Sequence, residues 1–506
     1  MMNIKPGRKT DRLFDSNILL TGLALAAYLI VFYTFSSVLF DDIFVSLRYA
    51  KNMADGFGPT FSKGVPPVEG YSNTLLVWMV VVFIKMGIDP LFAVKIISLF
   101  AGGTVIILIS QLLKHFELHF IARLTAVFSL VFCIPYSYWL GSGTENGLYS
   151  LFLVAAVYMS ILQKKLGLQF ITVLVCLCLI RPEGVAFSLL ILGLRFLFSG
   201  EERPFFEFFR NTILFSVICL ALLIWRYTTF GELLPNTYYA KTGGSLLINA
   251  QNSVSIIRLG MQTFGLPMTV LMVIGFFSVM KQKRLLIPMC VLISGMAFVV
   301  YTGGDVNVPR LRFFVLYVPI MSVFAGFGLE RISAWIPFRQ LTFAAFVLIA
   351  INILLSYRAS LPTYLDQTWK SGSTFNGHIT LSKSLQKKVP EGTTIALWDI
   401  GIIPYKLNHC RIIDLTGITD SFISRTEGGH FQRNTKPVVD YVFEKTPDLM
   451  ILNTIKTSGT GIFPEYPVIG AITSDSRFKK NYKIAQIQHT IGPYYLAVFQ
   501  RSPISK

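Results

Sequence analysis

The chain has 506 residues, of which 53% are hydrophobic and only 14% charged, and its mean hydropathy is +0.58. A water-soluble protein is excluded, and there is length for about a dozen membrane spans of ~20 residues plus one soluble domain. The formal charge of +18 would suggest nucleic acid in a soluble chain, but here it reads as basic residues holding cytoplasmic loops, and no nucleic-acid partner is expected.

The N-terminus reads MMNIKPGRKTDR and then runs apolar from Asn17 to about Phe40. That run is too long for a signal-peptide core and lacks a small-residue cleavage site, so it predicts a retained signal anchor. Further apolar segments fall at 74–87, 91–113, 121–136, 147–163, 168–180, 184–199, 211–230, 263–280, 285–301, 312–328 and 338–357. Basic clusters at Lys5 to Arg12, Lys114 to Arg123, Lys164/Lys165, Arg195 to Arg210, Lys281 to Arg284 and Arg331 to Arg339 are assigned to the cytoplasm. Successive cytoplasmic clusters need an even number of crossings between them. This makes the short segment 74–87 a half-inserted helix and leaves eleven full crossings, with the N-terminus cytoplasmic and the C-terminus periplasmic in a bacterial inner membrane.

With that topology the strings DDIFVSLRYA, GSGTENG, RPEG, GELLPNTYYAK and YTGGDVNVPR all land on the external face. Charged groups near hydrocarbon cost about 2.5–3.5 kcal/mol each, so five such strings on one side imply a shared aqueous cavity. After Tyr357 the composition turns to soluble usage. Helical stretches at 379–389 and 437–446 alternate there with the strand-like TTIALWD, RIIDLTG, PDLMILN, YKIAQIQ and YYLAVFQ. The expected fold is mostly α: a polytopic helical membrane domain over 1–360 and a C-terminal soluble α/β domain over 361–506 outside the cell. The six cysteines suggest packing, and the histidines show no external pair at metal-ligand spacing.

Asp41-Asp42 follows the first span directly. A paired carboxylate there can deprotonate an acceptor hydroxyl, hold a divalent cation or divide the two tasks; equally, it can start a helix, since IFVSLRYAKNMA follows. Adjacent side chains point in different directions, so unequal roles are expected. Asp41, nearer the span end, is favoured as base and Asp42 as loop anchor or cation ligand. The same loop (40–73) carries Arg48 and a Gly/Pro-rich stretch with Glu69, Tyr71 and Asn73, which suits either a cover over a substrate or a plain structured connection.

The string DDIFVSLRYAKNMADGFGPTFSKGVPPVEGYSNTLLVW resembles the first external loop of LphB-type bacterial membrane proteins and of the mycobacterial terminal arabinofuranosyltransferase, with a paired acidic start, an S-x-R-Y-A helix and a V-E-G-Y-x-N close. GSGTENGLYSLFL, RPEGVAFSLLIL, RYTTFGELLPNTYYAK, YTGGDVNVPRLRFFVLYVPI, WDIGIIPY and IIDLTGITD extend the resemblance over nearly the whole chain. One departure is Thr144 and Asn146 around Glu145, where the pattern has Leu and Thr.

The resemblance implies a GT-C glycosyltransferase: a multi-span enzyme that transfers a sugar from a polyprenyl-phosphate donor, with acidic residues of the first external loop in its active site. It makes Asp41 and Asp42 the catalytic candidates and Glu69, Tyr71 and Asn73 loop ligands. It leans towards a pentose such as arabinofuranose, with a glycan, lipid or protein acceptor and membrane lipids as surroundings. In that frame the leaving phosphate needs cations, and Arg181, Lys241, Arg310 and Arg312 are the external ones. Arg181 can equally pair with Glu183, and Arg310 and Arg312 can snorkel. Asp305 suits a sugar hydroxyl or a pairing with Arg310. Asn236 and the tyrosines 227, 238 and 239 complete the candidates. A transporter or flippase for a lipid-linked sugar is the alternative; it would show inverted halves, of which the sequence has no sign.

Overall fold

The computed structural model describes residues 16–163, 165–198, 204–241, 246–303, 311–335, 375–428, 433–456, 462–490 and 493–502, and scattered positions of a helix within 340–354. Asp305 and Arg310 lie outside the described residues. The expected span at 338–357 is covered only in part.

Helix α1 (Ser16–Phe35) is followed by α2 (Asp41–Ala54), so the two acids open a helix, as Asp favours. Beyond the loop to Asn73 come α3 (Thr74–Lys85), α4 (Pro90–His115), α5 (Phe120–Val131), α6 (Ile134–Gly141), α7 (Asn146–Leu162), α8 (Leu168–Ile180) and α9 (Gly184–Phe198). Next are α10 (Pro204–Phe230), the short α11 (Asn236–Lys241), α12 (Leu246–Phe264), α13 (Leu266–Ser278), α14 (Leu286–Thr302) and α15 (Val318–Ser333).

Five helices among the described residues are long and apolar enough to cross a membrane, and seven if each of two bent pairs counts as one span. The apolar run at 121–136 is one such pair: α5 and α6 meet at 53°, where Pro135 in the first turn of α6 cannot continue the preceding ladder. The other pair, α12 and α13, meets at 100° across Gly265 (φ 100°) and Pro267. Helix α12 is an addition to the expected elements. Its mixed sequence LLINAQNSVSIIRLGMQTF carries too many polar residues to read as a span. Helix α3 has 12 residues; at 1.5 Å per residue it reaches about 18 Å, short of a hydrocarbon core of about 30 Å.

Three expected cytoplasmic clusters meet at one end of the bundle. Arg195 donates to the carbonyls of Ser160 and Gln163, Arg210 to that of Leu166 and Arg284 to that of Ile161. These arginines close the carbonyls around the end of α7, the arrangement favoured at a helix C-terminus.

The C-terminal part opens with helix α16 (375–386). The five anticipated strands are all present as β1 (Thr394–Leu397), β2 (Arg411–Asp414), β3 (Leu449–Lys456), β5 (Tyr482–His489) and β6 (Tyr494–Arg501), and the three-residue β4 (Ile462–Pro464) pairs with β3. The sheet order is β2-β1-β3-β6-β5, parallel among the first three and antiparallel beyond. Helix α17 (Ile402–Lys406) follows β1, α18 (Ser421–Ser424) follows β2 and α19 (Thr435–Glu444) precedes β3.

Candidate active site

At the end of the bundle away from the basic clusters, three of the polar strings meet Arg312, two residues beyond a fourth, in one line of charges. Arg312, just ahead of α15, donates from Nη1 to Asp42 Oδ2 at 2.8 Å and from Nη2 to Glu145 Oε1 at 2.8 Å. Glu145 Oε1 also accepts from Arg181 Nη1 at 2.9 Å, and Arg181 Nε donates in turn to Glu183. Three carboxylates thus alternate with two guanidiniums. The guanidinium of Arg312 lies 5.7 Å from the ring of Phe40 and 5.6 Å from that of Trp139, and Arg181 sits 4.7 Å over Phe313, contacts that suit a cation in an apolar wall.

Exposure is uneven along this line. The Asp42 side chain is 44% exposed, against 13% for Arg312 and 4% for Glu145. Burial pushes the Glu145 carboxyl up, but Arg312 and Arg181 together outweigh it and hold the group down at about 2. Glu145 is therefore a fixed negative charge. Asn146, a departure from the family pattern, donates to the carbonyl of Arg312 at 2.7 Å and so fixes the backbone from which that arginine reaches out.

Asp41 faces elsewhere. Its Oδ2 accepts from the N–H of Gly401 at 2.9 Å and its Oδ1 from that of Ile402 at 2.8 Å, at the start of α17. Burial and the nearby Asp399 push its carboxyl up to about 6, against the pull of His378 and the Ile402 N–H. Asp399 accepts from His378 Nε2 at 2.7 Å and from Asn453 at 2.9 Å. The two acids face different surroundings: Asp41 ties the loop to the C-terminal domain, and Asp42 stands half-open beside Arg312. A divalent cation shared by the two does not fit this geometry, since both Asp41 oxygens hold N–H groups and Asp42 holds a guanidinium. Among the described residues no cluster of three His, Cys, Asp or Glu side chains assembles around a common point.

The remaining loop candidates build the scaffold. Arg48 is fully buried and is spent on the carbonyls of Phe61, Pro404 and Cys410. Asn73 accepts from Ser46 at 3.0 Å, pinning the loop end to α2. Tyr71 packs edge-on against Tyr49 at 4.7 Å. Gly70 between Glu69 and Tyr71 is required by close approach, because a Cβ there would lie 2.5 Å from Thr419 Cγ2 and 2.7 Å from the Tyr49 hydroxyl. Glu69 is buried against Arg226, with N–O distances of 2.6 and 3.2 Å. Arg226 and the Asp399–His378 pair were not among the sequence candidates. Asn236 Nδ2 donates to the carbonyls of Gly417 and Ile418, at 2.8 and 2.9 Å, and its backbone N–H to that of Glu69. Nearby, Arg425 lies 3.6 Å over the ring of Tyr239 and pairs with Glu232. Lys241 is exposed at the end of α11.

A family profile described as a domain of unknown function (DUF8728) matches residues 367–499. No curated protein is similar enough in sequence to count as a match. Among solved structures, ArnT from Cupriavidus metallidurans bound to undecaprenyl phosphate superimposes with a TM-score of 0.61 at 11% identity, over 95% of this chain and 97% of that one. A mutant of the arabinofuranosyltransferase AftD from Mycobacteria gives 0.50 at 11% identity over 97% of this chain, which spans 42% of that protein. Identity this low speaks for the fold, over nearly the full length of both chains in the case of ArnT. The chain is a multi-helix membrane protein of the GT-C fold.

Proposed function

We propose that the protein is a glycosyltransferase that moves a sugar from a polyprenyl-phosphate donor to an acceptor hydroxyl. The observation that carries this reading is the Asp42–Arg312–Glu145–Arg181–Glu183 line, gathered from four separate chain segments at one end of a fold shared with a protein crystallised with undecaprenyl phosphate. The bond between the sugar's anomeric carbon and the phosphate oxygen breaks, its electron pair leaves with the phosphate, and the acceptor oxygen forms the new bond while its proton passes to a carboxylate.

Asp42 is that carboxylate. It is adjacent to the cation that would meet the leaving group and is the most exposed member of the line. The donor phosphate competes with Asp42 for Arg312 Nη1, so that donor arrival frees the base, and the guanidinium neutralises the charge that develops as the phosphate departs. Glu145 holds Arg312 from behind. Asp41 acts through the loop, by fastening it to the soluble domain. Arg310 and Asp305 are assigned by the sequence resemblance alone.

The soluble domain from about 361 onwards lies on the periplasmic side of a bacterial inner membrane, and the donor sugar is a pentose, the arabinofuranose type that the resemblance favours. The acceptor is a glycan, lipid or protein of the cell surface. Purified protein with a synthetic polyprenyl-phospho-arabinofuranose and cell-envelope acceptor should release polyprenyl phosphate. Replacing Asp42→Asn should slow this by roughly 100-fold or more, the range of a lost general base. Full activity of that variant would remove Asp42 from the mechanism, and no release by the wild type with any lipid-phosphate sugar would end the reading.

A further inference from the structure

Lysine 95 sits in the second turn of α4, half-buried, and no acidic side chain accompanies it among the described residues. Its ammonium donates to two backbone carbonyls, Val38 O and Gly141 O, each at 2.5 Å. These belong to the two chain segments that deliver the central acids. Val38 stands four residues ahead of Asp42, in the link from α1 to α2, and Gly141 four residues ahead of Glu145, at the last turn of α6. One turn along α4, Ser98 donates to the neighbouring carbonyl of Leu140 at 2.7 Å.

The carbonyls at the end of α6 have no partner within their own helix and carry the negative end of its dipole. An ammonium there satisfies the Gly141 carbonyl and bears three donors with no acceptor, so one group can bind both segments at once. The fit is close. Gly143, which lies between Gly141 and Glu145 with φ at 76°, would place a Cβ 3.0 Å from Val94 and 3.3 Å from Lys95 Cδ. Above this tie the same two segments are joined again, through side chains, because Asp42 and Glu145 share Arg312.

We infer that Lys95 is a positioning residue, which sets the separation of Asp42 and Glu145 by tying their backbones below the point where Arg312 joins their side chains. This rests on the glycosyltransferase reading and extends it to a residue that touches neither donor nor acceptor. A misplacement of about 1 Å at such a site costs up to roughly 100-fold in rate. Binding of the long lipid, which draws on much of the bundle, is affected far less.

The test uses the full-length protein in detergent or nanodiscs, with Lys95→Met, which keeps the length and removes the charge and donors, and Lys95→Arg, which restores both. Lys95→Met should lower kcat at least roughly tenfold with the donor KM changed less than about threefold, and Lys95→Arg should recover part of the loss. Hydrogen exchange provides a readout independent of turnover: in Lys95→Met, peptides covering 36–47 and 139–149 should both exchange faster while the middle of α4 stays protected. Unchanged kcat, or a loss confined to KM, overturns the inference. So does acceleration in one stretch only, in neither, or throughout the protein. If the wild type transfers no sugar, the functional reading falls, and the exchange pattern alone still decides whether Lys95 ties the two segments.

Discussion

Asp41 and Gly401, 360 residues apart in the chain, meet so closely that the carboxylate accepts the glycine N–H at 2.9 Å and leaves no room for a side chain. A Cβ on Gly401 would lie 2.1 Å from the Asp41 carbonyl oxygen and 2.4 Å from Oδ1. Gly401→Ala should therefore push α2 and the soluble domain apart, at about 1–3 kcal/mol, the usual cost of overpacking. Thermal unfolding and limited proteolysis of the loop at 55–68 would both register it. Gly167→Ala, where nothing lies within 4 Å, should leave both unchanged.

The same contact depends on pH. A carboxyl raised from its ordinary value to about 6 favours the protonated form in the docked state, so its contribution to docking is complete below the ordinary carboxylate range and is lost as pH rises through about 6. Asp399 runs the other way. Burial raises it, but His378 and Asn453 hold it low, and what it contributes is lost only under stronger acid. Stability measured from pH 5 to 7 should fall in the wild type and stay nearly flat in Asp41→Asn. Equal slopes in the two proteins would count against a titrating Asp41.

Glu145 serves two guanidiniums at once, and neutralising it leaves both short of charge. Glu145→Gln should cost about 3–5 kcal/mol, as when one partner of a buried pair is removed. Turnover should fall roughly 100-fold as Arg312 loses its support. The double variant Glu145→Gln/Arg181→Met, in which one charge of each sign is gone, should recover part of the stability. A cycle with additive losses, within about 0.5 kcal/mol, would show that the two residues are energetically independent.

Glu69 and Arg226 form a second buried pair, between the loop and α10. Burial raises the Glu69 carboxyl although Arg226 and Thr74 oppose it. Arg226→Met should therefore loosen the loop close, detected as faster cleavage near Gly70. The companion Glu69→Gln/Arg226→Met should be less damaged than Arg226→Met alone.

Sidedness is checked by fusions. A reporter active only outside the cytoplasm should report when joined after Arg501 and stay silent when joined after Lys283. The reverse result would invert the assignment of every polar string.

The acidic start of α2 and all five principal strands were legible in the sequence because each is a local pattern: a charge at a helix start, or alternating β-branched residues between breakers. The meeting of DDIFVSLRYA, GSGTENG and RPEG was legible as well, from the cost of leaving charges at membrane depth. The different partners of Asp41 and Asp42 were not, since Gly401 and Arg312 lie 360 and 270 residues away. Pro135 and the Gly265-Leu266-Pro267 run could have flagged the two helix breaks. Arg226 left a signal too, as a lone guanidinium in LALLIWRYTTF, but only the fold supplies Glu69 as its reason. Asn146 read as a departure because its partner is a backbone carbonyl, for which sequence carries no mark.

Arg48 is buried with its guanidinium committed to carbonyls 356 and 362 residues further along, those of Pro404 and Cys410. During synthesis the helix that carries Arg48 is made well before the groups that satisfy it, which follow 356 and 362 residues later. Until they arrive, a charged side chain in the middle of α2 has only the Phe61 carbonyl, Ser62 and water for partners, and the loop has no settled position. A ribosome that stops short of the soluble domain thus releases a bundle whose acidic loop is never sealed. The burial of Arg48, and with it the setting of the helix that carries Asp42, therefore depends on a segment more than three hundred residues downstream.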